Sequence, residues 1–143
     1  MAEQFALCVK SELANLAQIA EFVTEQAQSV GMDDDQVFAI QMAVDEACTN
    51  SMEHAYNGHD DGEVTVCCYG ENDDFVVKIT DLGDQFDPSA VPEPDISQPL
   101  EERSVGGLGI FLMRRLMDSV EFHTDPDNGN EVIMRKHRKP VTA

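Results

Sequence analysis

Asp45-Glu46-Ala47-Cys48-Thr49-Asn50-Ser51-Met52-Glu53-His54-Ala55-Tyr56 is the stretch on which the fold turns. With the residues before it, it carries an apolar stripe at helical spacing: Val37, Ile40, Val44, Ala47, Cys48, Met52 and Ala55. Glu46, Asn50, Glu53 and Asn57 fall at successive steps of three or four, roughly opposite that stripe. The spacing therefore predicts a helix with one face for a core and a polar face turned away from it. Asp33, Asp34 and Asp35 supply a cap and first-turn negative charge, and Asn57-Gly58 is the expected end. Taken alone, the polar face reads as a solvated surface. A carboxylate and a carboxamide one turn apart also suit a hydrated Mg²⁺, which keeps most of its waters and accepts few protein ligands. With His54 added, Glu-Asn-His is a poor zinc set, so a transition-metal site is rejected.

Upstream, Phe5, Leu7 and Val9 alternate as a short strand would, and Ser11 is a plausible cap for a helix carrying Leu13, Leu16, Ala20, Val23, Ala27 and Val30 up to Gly31. Downstream, Glu63–Tyr69 and Phe75–Thr80 alternate on either side of a Gly70–Asp74 turn and predict a hairpin. Residues 82–105, with prolines at 88, 92, 94 and 99, break every period and read as a long loop of the kind that forms lids or binding segments. Gly106-Gly107-Leu108-Gly109 opens an apolar helix to about Asp118, with Met113 and Met117 expected in the core. Val120–Thr124 and Glu131–His137 form a last hairpin around Pro126-Asp127-Asn128-Gly129. This order gives an α+β chain, a two-layer α/β sandwich with helices on one face of a mixed, mainly antiparallel sheet. A single domain over 1–143 is expected from the length.

Charge narrows the partners. The chain carries 28 acidic and 9 basic residues, a net charge of −19. Residues 1–102 hold 23 acids and 2 bases, net −21, so nearly all positive charge lies in the remainder. Such an excess excludes a general phosphate-backbone binder, and free nucleic acid is not an expected partner. It fits either basic partners or high-salt adaptation. No segment approaches 18 consecutive apolar residues and no basic-then-apolar leader opens the chain, so a cytoplasmic location without membrane contact is expected. Cysteines 8, 48, 67 and 68 have no metal-ligand spacing and are expected to be reduced core thiols, with 67 and 68 on opposite faces of a strand.

Two further segments can carry chemistry. Asp81-Leu82-Gly83-Asp84-Gln85-Phe86-Asp87-Pro88 has the composition of a turn, yet Asp81 ends an apolar strand, where a partly buried carboxylate requires a donor such as the exocyclic amine of a base. The Gly106–Gly109 run is weak as a glycine motif, but it precedes a helix whose free N–H groups and dipole suit a phosphate.

In this order, the three segments resemble the N, G1 and G2 boxes of the ATPase superfamily shared by gyrase, Hsp90, histidine kinases and MutL. The wording Asp45-Glu46-Ala47-Cys48-Thr49-Asn50 with His54-Ala55-Tyr56, then Asp81-x-Gly83-Asp84-x-Phe86-Asp87, then Gly106-Gly107-Leu108-Gly109-Ile110-Phe111-Leu112-Met113, is most similar to the anti-sigma-factor serine kinases of bacterial partner switches. The likeness covers roughly residues 5–137 and implies a Bergerat-type ATP-binding fold with ATP and Mg²⁺ as cofactors. By residue, it implies that Asn50 holds Mg²⁺, Asp81 accepts from the adenine amine, and Gly83 lets the base approach the backbone. Gly106, Gly107, Leu108 and Gly109 would line the phosphates, and Glu46 would orient or deprotonate a serine hydroxyl. Arg103 is placed as in members where an arginine reaches the γ-phosphate, at the end of an ATP lid spanning about 82–105. Many superfamily members carry a second glycine where this chain has Gln85, a departure that bears on the lid.

The implied activity is that of a protein serine kinase and anti-sigma factor in stress-type transcription regulation. Its expected partners are a sigma factor, a STAS-domain antagonist as phosphorylation substrate, and a second copy in a homodimer. The alternatives are a sequestering nucleotide-binding module without phosphotransfer, and a kinase switching a client that is not a sigma factor. Glu46 beside Asn50 favours catalysis over sequestration. The ATP domain of a two-component histidine kinase lacks support, because His54 lies inside the N box and no phosphoacceptor hairpin precedes it.

Overall fold

The structure, a computed structural model, describes residues 4–55, 62–83, 107–125 and 129–138. Along the chain these form β1 (Phe5–Lys10), α1 (Leu16–Ser29), α2 (Asp34–Asn50), β2 (Glu63–Glu71), β3 (Asp74–Asp81), α3 (Gly107–Leu116), β4 (Ser119–Asp125) and β5 (Gly129–His137). The sheet has the order β1-β2-β3-β5-β4, and each described pairing is antiparallel. Its helix-facing side contributes Val64, Val66, Phe75, Val77, Ile79, Val132 and Met134 to one core, against Ile19, Val23 and Ala27 of α1, Ile40, Val44 and Ala47 of α2, and Ile110 and Met113 of α3. Met113 is fully buried and Met117 nearly so, as expected. This is the two-layer arrangement the element order demands.

Local chemistry sets the element ends. Asp33 accepts from the Gln36 N–H at 2.8 Å while the Gln36 side chain accepts from the Asp33 N–H at 3.0 Å, a reciprocal capping box that starts α2. At the end of α1, the N–H of Gly31 donates to Gln28 O and that of Met32 to Ala27 O, the paired closure of a Schellman turn. α2 gives way at Ser51–Ala55 to a π-helical turn, a widening often found beside functional sites. The expected end at Asn57-Gly58 lies outside the described residues.

Several expectations shift. Ser11 does not cap a helix: its N–H continues the strand pairing onto Gly62 O at 2.8 Å, and its buried hydroxyl has no partner among the described residues. A 3-10 turn at Leu13–Asn15, with Glu12 as its cap residue, intervenes before α1. The first hairpin is tighter than expected, with a turn of only Asn72-Asp73, because Asn72 takes a left-handed φ of 57° that its amide tolerates. α3 stops at Leu116 rather than Asp118, since the Asp118 N–H is drawn to Arg135 O on β5 at 2.9 Å. All four cysteines are free, but only Cys48 and Cys68 are core; Cys8 is exposed and Cys67 half-buried, because both point to the sheet face away from the helices. Among the described residues, no helix is long and apolar enough to cross a membrane.

Candidate functional site

Strand register assembles one half of the site. Val9 pairs with Val64, Val64 with Asp81, Asp81 with Asn130, and Asn130 with Thr124, so a single rung crosses all five strands with its side chains on the helix-facing side. Apolar residues fill that side along the next rungs; this rung is polar on β3, β5 and β4. Asp81 is 4% exposed. Its Oδ1 accepts from Asn130 Nδ2 at 2.8 Å and from the Gly83 N–H at 3.0 Å. Thr124 Oγ1 in turn donates to Asn130 Oδ1 at 3.3 Å. Both donors engage the same oxygen of Asp81, which fixes the carboxylate and leaves Oδ2 for another donor.

Close backbone approach explains a glycine next to this rung. Gly129 has φ of 83°, and a Cβ there would sit 2.1 Å from Asp81 O. Only glycine fits, and through it β5 reaches far enough to place Asn130 against Asp81.

The other half comes from two helices. Glu46 and Asn50 lie one turn apart on α2, both half-buried, and α3 packs across them at its first turn. A Cβ on Gly109 would stand 2.8 Å from Glu46 Oε2 and within 3.7 Å of both polar atoms of the Asn50 amide. The N-terminal turn of α3, with its outward N–H groups and positive dipole end, thus lies directly against a carboxylate and a carboxamide. Burial lifts the Glu46 carboxyl above its ordinary value, and the charges of Asp45 and Glu53 push it further in the same direction. That shift moves it toward the range in which a carboxylate serves as a general base.

Between the two halves is a pocket walled by Ala47, Asn50, Ile79, Asp81, Met113, Phe122, Asn130 and Val132. Largely apolar walls with the fixed Asp81 acceptor among them suit a purine carrying an exocyclic amine. A helix N-terminus flanked by hard oxygen and amide donors suits phosphates and a Mg²⁺ shared with them. The residues present therefore fit both groups.

Of the residues singled out in the sequence, Glu46, Asn50, Asp81, Gly83 and Gly109 are brought to this one region, and Gly107 and Leu108 belong to the first turn of α3. Arg103, Gly106, Asn57 and nearly all of the 82–105 segment lie outside the described residues. Sequence reasoning missed Asn130 and Thr124. A signal existed: Asn130, Val132 and Met134 share a strand face, so a polar residue stood at an inward position of the last hairpin.

Comparison with known proteins gives the family and the fold. Residues 9–136 match the histidine kinase-like ATPase domain family. The chain is 33% identical to the serine-protein kinase RsbW of Listeria monocytogenes over 135 residues, covering 92% of this chain and 83% of that one. To RsbW of Bacillus velezensis it is 36% identical over 116 residues, covering 78% and 71% of the two chains. A crystal structure of the RsbU and RsbW domains of a Mycobacterium tuberculosis protein superposes with a TM-score of 0.65 at 13% identity, over 96% of this chain and 33% of that longer one. That likeness shows the fold.

Proposed function

The chain belongs to the RsbW-type serine-protein kinases of the histidine kinase-like ATPase family, and on that premise we propose that it holds a sigma factor and releases it according to the phosphorylation state of a STAS-domain antagonist. The single observation that carries the reading is the packing of Gly109 against Glu46 and Asn50, since it puts a candidate base and a candidate metal ligand at a helix terminus able to receive phosphates. Asp81, held by Asn130 and Gly83, accepts from the adenine amine and sets the register of the nucleotide. Asn50 holds Mg²⁺, which supplies charge neutralisation at the phosphates. Glu46 takes the proton of the incoming serine hydroxyl, and the first turn of α3 directs its N–H groups at the transferred group. Phosphoryl transfer is mainly positioning plus charge stabilisation, so a site of this kind needs little else. Arg103 is assigned to the γ-phosphate within the same reading.

A homodimer belongs to this proposal, and β1, one of the two edge strands of the described sheet with Phe5 44% exposed, offers open pairing groups for it. The acidic surface leaves free nucleic acid outside the proposed partners. The test is incubation of the purified chain with Mg·ATP and the STAS protein of the same host, followed by mass spectrometry. Phosphate on one serine of the STAS protein, absent without Mg²⁺, is expected. Full-strength binding of both ATP and antagonist with no transfer would replace the kinase by a sequestering module.

A further inference from the structure

Two apolar side chains stand open on the outward side of α2. Phe38 is 63% exposed and Met42 37%, one helical turn apart. Asp35 and Asp45, both exposed, extend the same stripe by three residues on either side. α1 and α3 both pack against α2, yet neither covers this stripe. Neither aspartate has an ion-pair partner among the described residues. An apolar pair bracketed by unbalanced acids, on the central helix of the layer, has the make-up of an interface centre with a charged rim.

We propose that the Asp35–Phe38–Met42–Asp45 stripe docks a basic segment of a DNA-binding client, with an apolar anchor of that segment seated on Phe38 and Met42 and its Lys or Arg side chains on the two aspartates. Charge complementarity selects this occupant. A second copy, itself at −19, would bring four carboxylates of like sign together, and free DNA repels the same surface. A protein that binds DNA carries the clustered Lys and Arg that phosphates require, so it presents the opposite field and is steered toward this face. The inference rests on the sigma-factor reading given above. Phe38 and Met42 are not among the walls of the Asp81 pocket, so docking and phosphotransfer are separable by substitution.

The experiment titrates fluorescently labelled sigma factor of the same host with wild type, with Phe38→Ser/Met42→Ser and with Asp35→Asn, at several salt concentrations. The apolar double variant is expected to lose at least about tenfold in affinity, the range of a truncated interface anchor, and Asp35→Asn to flatten the salt dependence. ATP affinity and antagonist phosphorylation should match wild type in the double variant, which shows that the fold and the nucleotide site are intact. Unchanged sigma-factor affinity in that variant would overturn the docking inference and leave the client reading standing. A change in its molar mass by light scattering, with sigma binding intact, would make the stripe a contact between copies and overturn the inference as well. Wild-type protein that does not bind the sigma factor would overturn the client reading and this inference together.

Discussion

Asp81 ends an apolar strand, and that position alone marked it as a carboxylate in need of a donor. The structure adds that two donors from the protein itself, Asn130 and Gly83, hold its Oδ1. Asp81→Asn would set an amide against the Asn130 amide, misplacing a donor toward either Asn130 or the adenine. An unsatisfied buried polar contact costs about 1–3 kcal/mol, so nucleotide affinity should fall roughly tenfold or more in calorimetry. Unchanged affinity would remove adenine recognition from Asp81. Gly109→Ala tests the other half of the site. Its Cβ would fall 2.8 Å from Glu46 Oε2, so the Glu46 side chain must swing aside or α3 must shift. Phosphotransfer should drop by more than ADP affinity, because the pocket around Asp81 is built by other residues. Equal loss of both would mean that the whole helix moved.

Element by element, the pattern of the sequence was readable wherever one face met a core. The stripe of α2, the two hairpins and the core methionines follow from periods of 3.6 and 2, which burial enforces. The start of α2 at Asp33 and the stop of α1 at Gly31 were readable from local chemistry, but the role of Ser11 and the end of α3 were not, because tertiary hydrogen bonds to Gly62 O and Arg135 O decide them. Glu46, Asn50, Asp81 and Gly83 were singled out from the wording of two boxes and Gly109 from that of a third; Asn130 and Thr124 were not, because they act through register, which a sequence does not show. The end of β5 has a clasp of the same hidden kind. The His137 ring Nδ1 bonds the Asp74 carboxylate, the His137 N–H donates to Asp118 Oδ2 at 2.6 Å, and Gln36 Nε2 donates to the His137 carbonyl at 2.7 Å. The Asp74 hydrogen bond, then the charges of Asp74 and Asp118, raise the His137 pKa above 6.5, against desolvation and the Lys136 charge. A pKa raised by folding stabilises the native state fully below the unfolded value and ceases to do so as pH rises through the folded one. The melting temperature of wild type should therefore exceed that of Asp74→Asn by more at about pH 5.5 than at about pH 9. A constant difference across that interval would show that the imidazole charge plays no part in the clasp.

For the whole molecule, charge and chemistry divide the surface. A chain at −19 that binds a polyanionic nucleotide must confine attraction to one spot, and the first turn of α3 against Glu46 and Asn50 is such a spot. Family membership supplies the serine kinase; this geometry supplies the residues proposed to perform it. The most direct test is single-turnover transfer from γ-labelled ATP to the cognate STAS protein, comparing wild type with Glu46→Gln, alongside ATP affinity for each. Glu46→Gln keeps the size of the side chain and removes the proton acceptor, so transfer should fall by roughly 10²–10⁴ while ATP affinity stays near wild type. Transfer at the wild-type rate would contradict the role assigned to Glu46 and, with it, the account of how this site works.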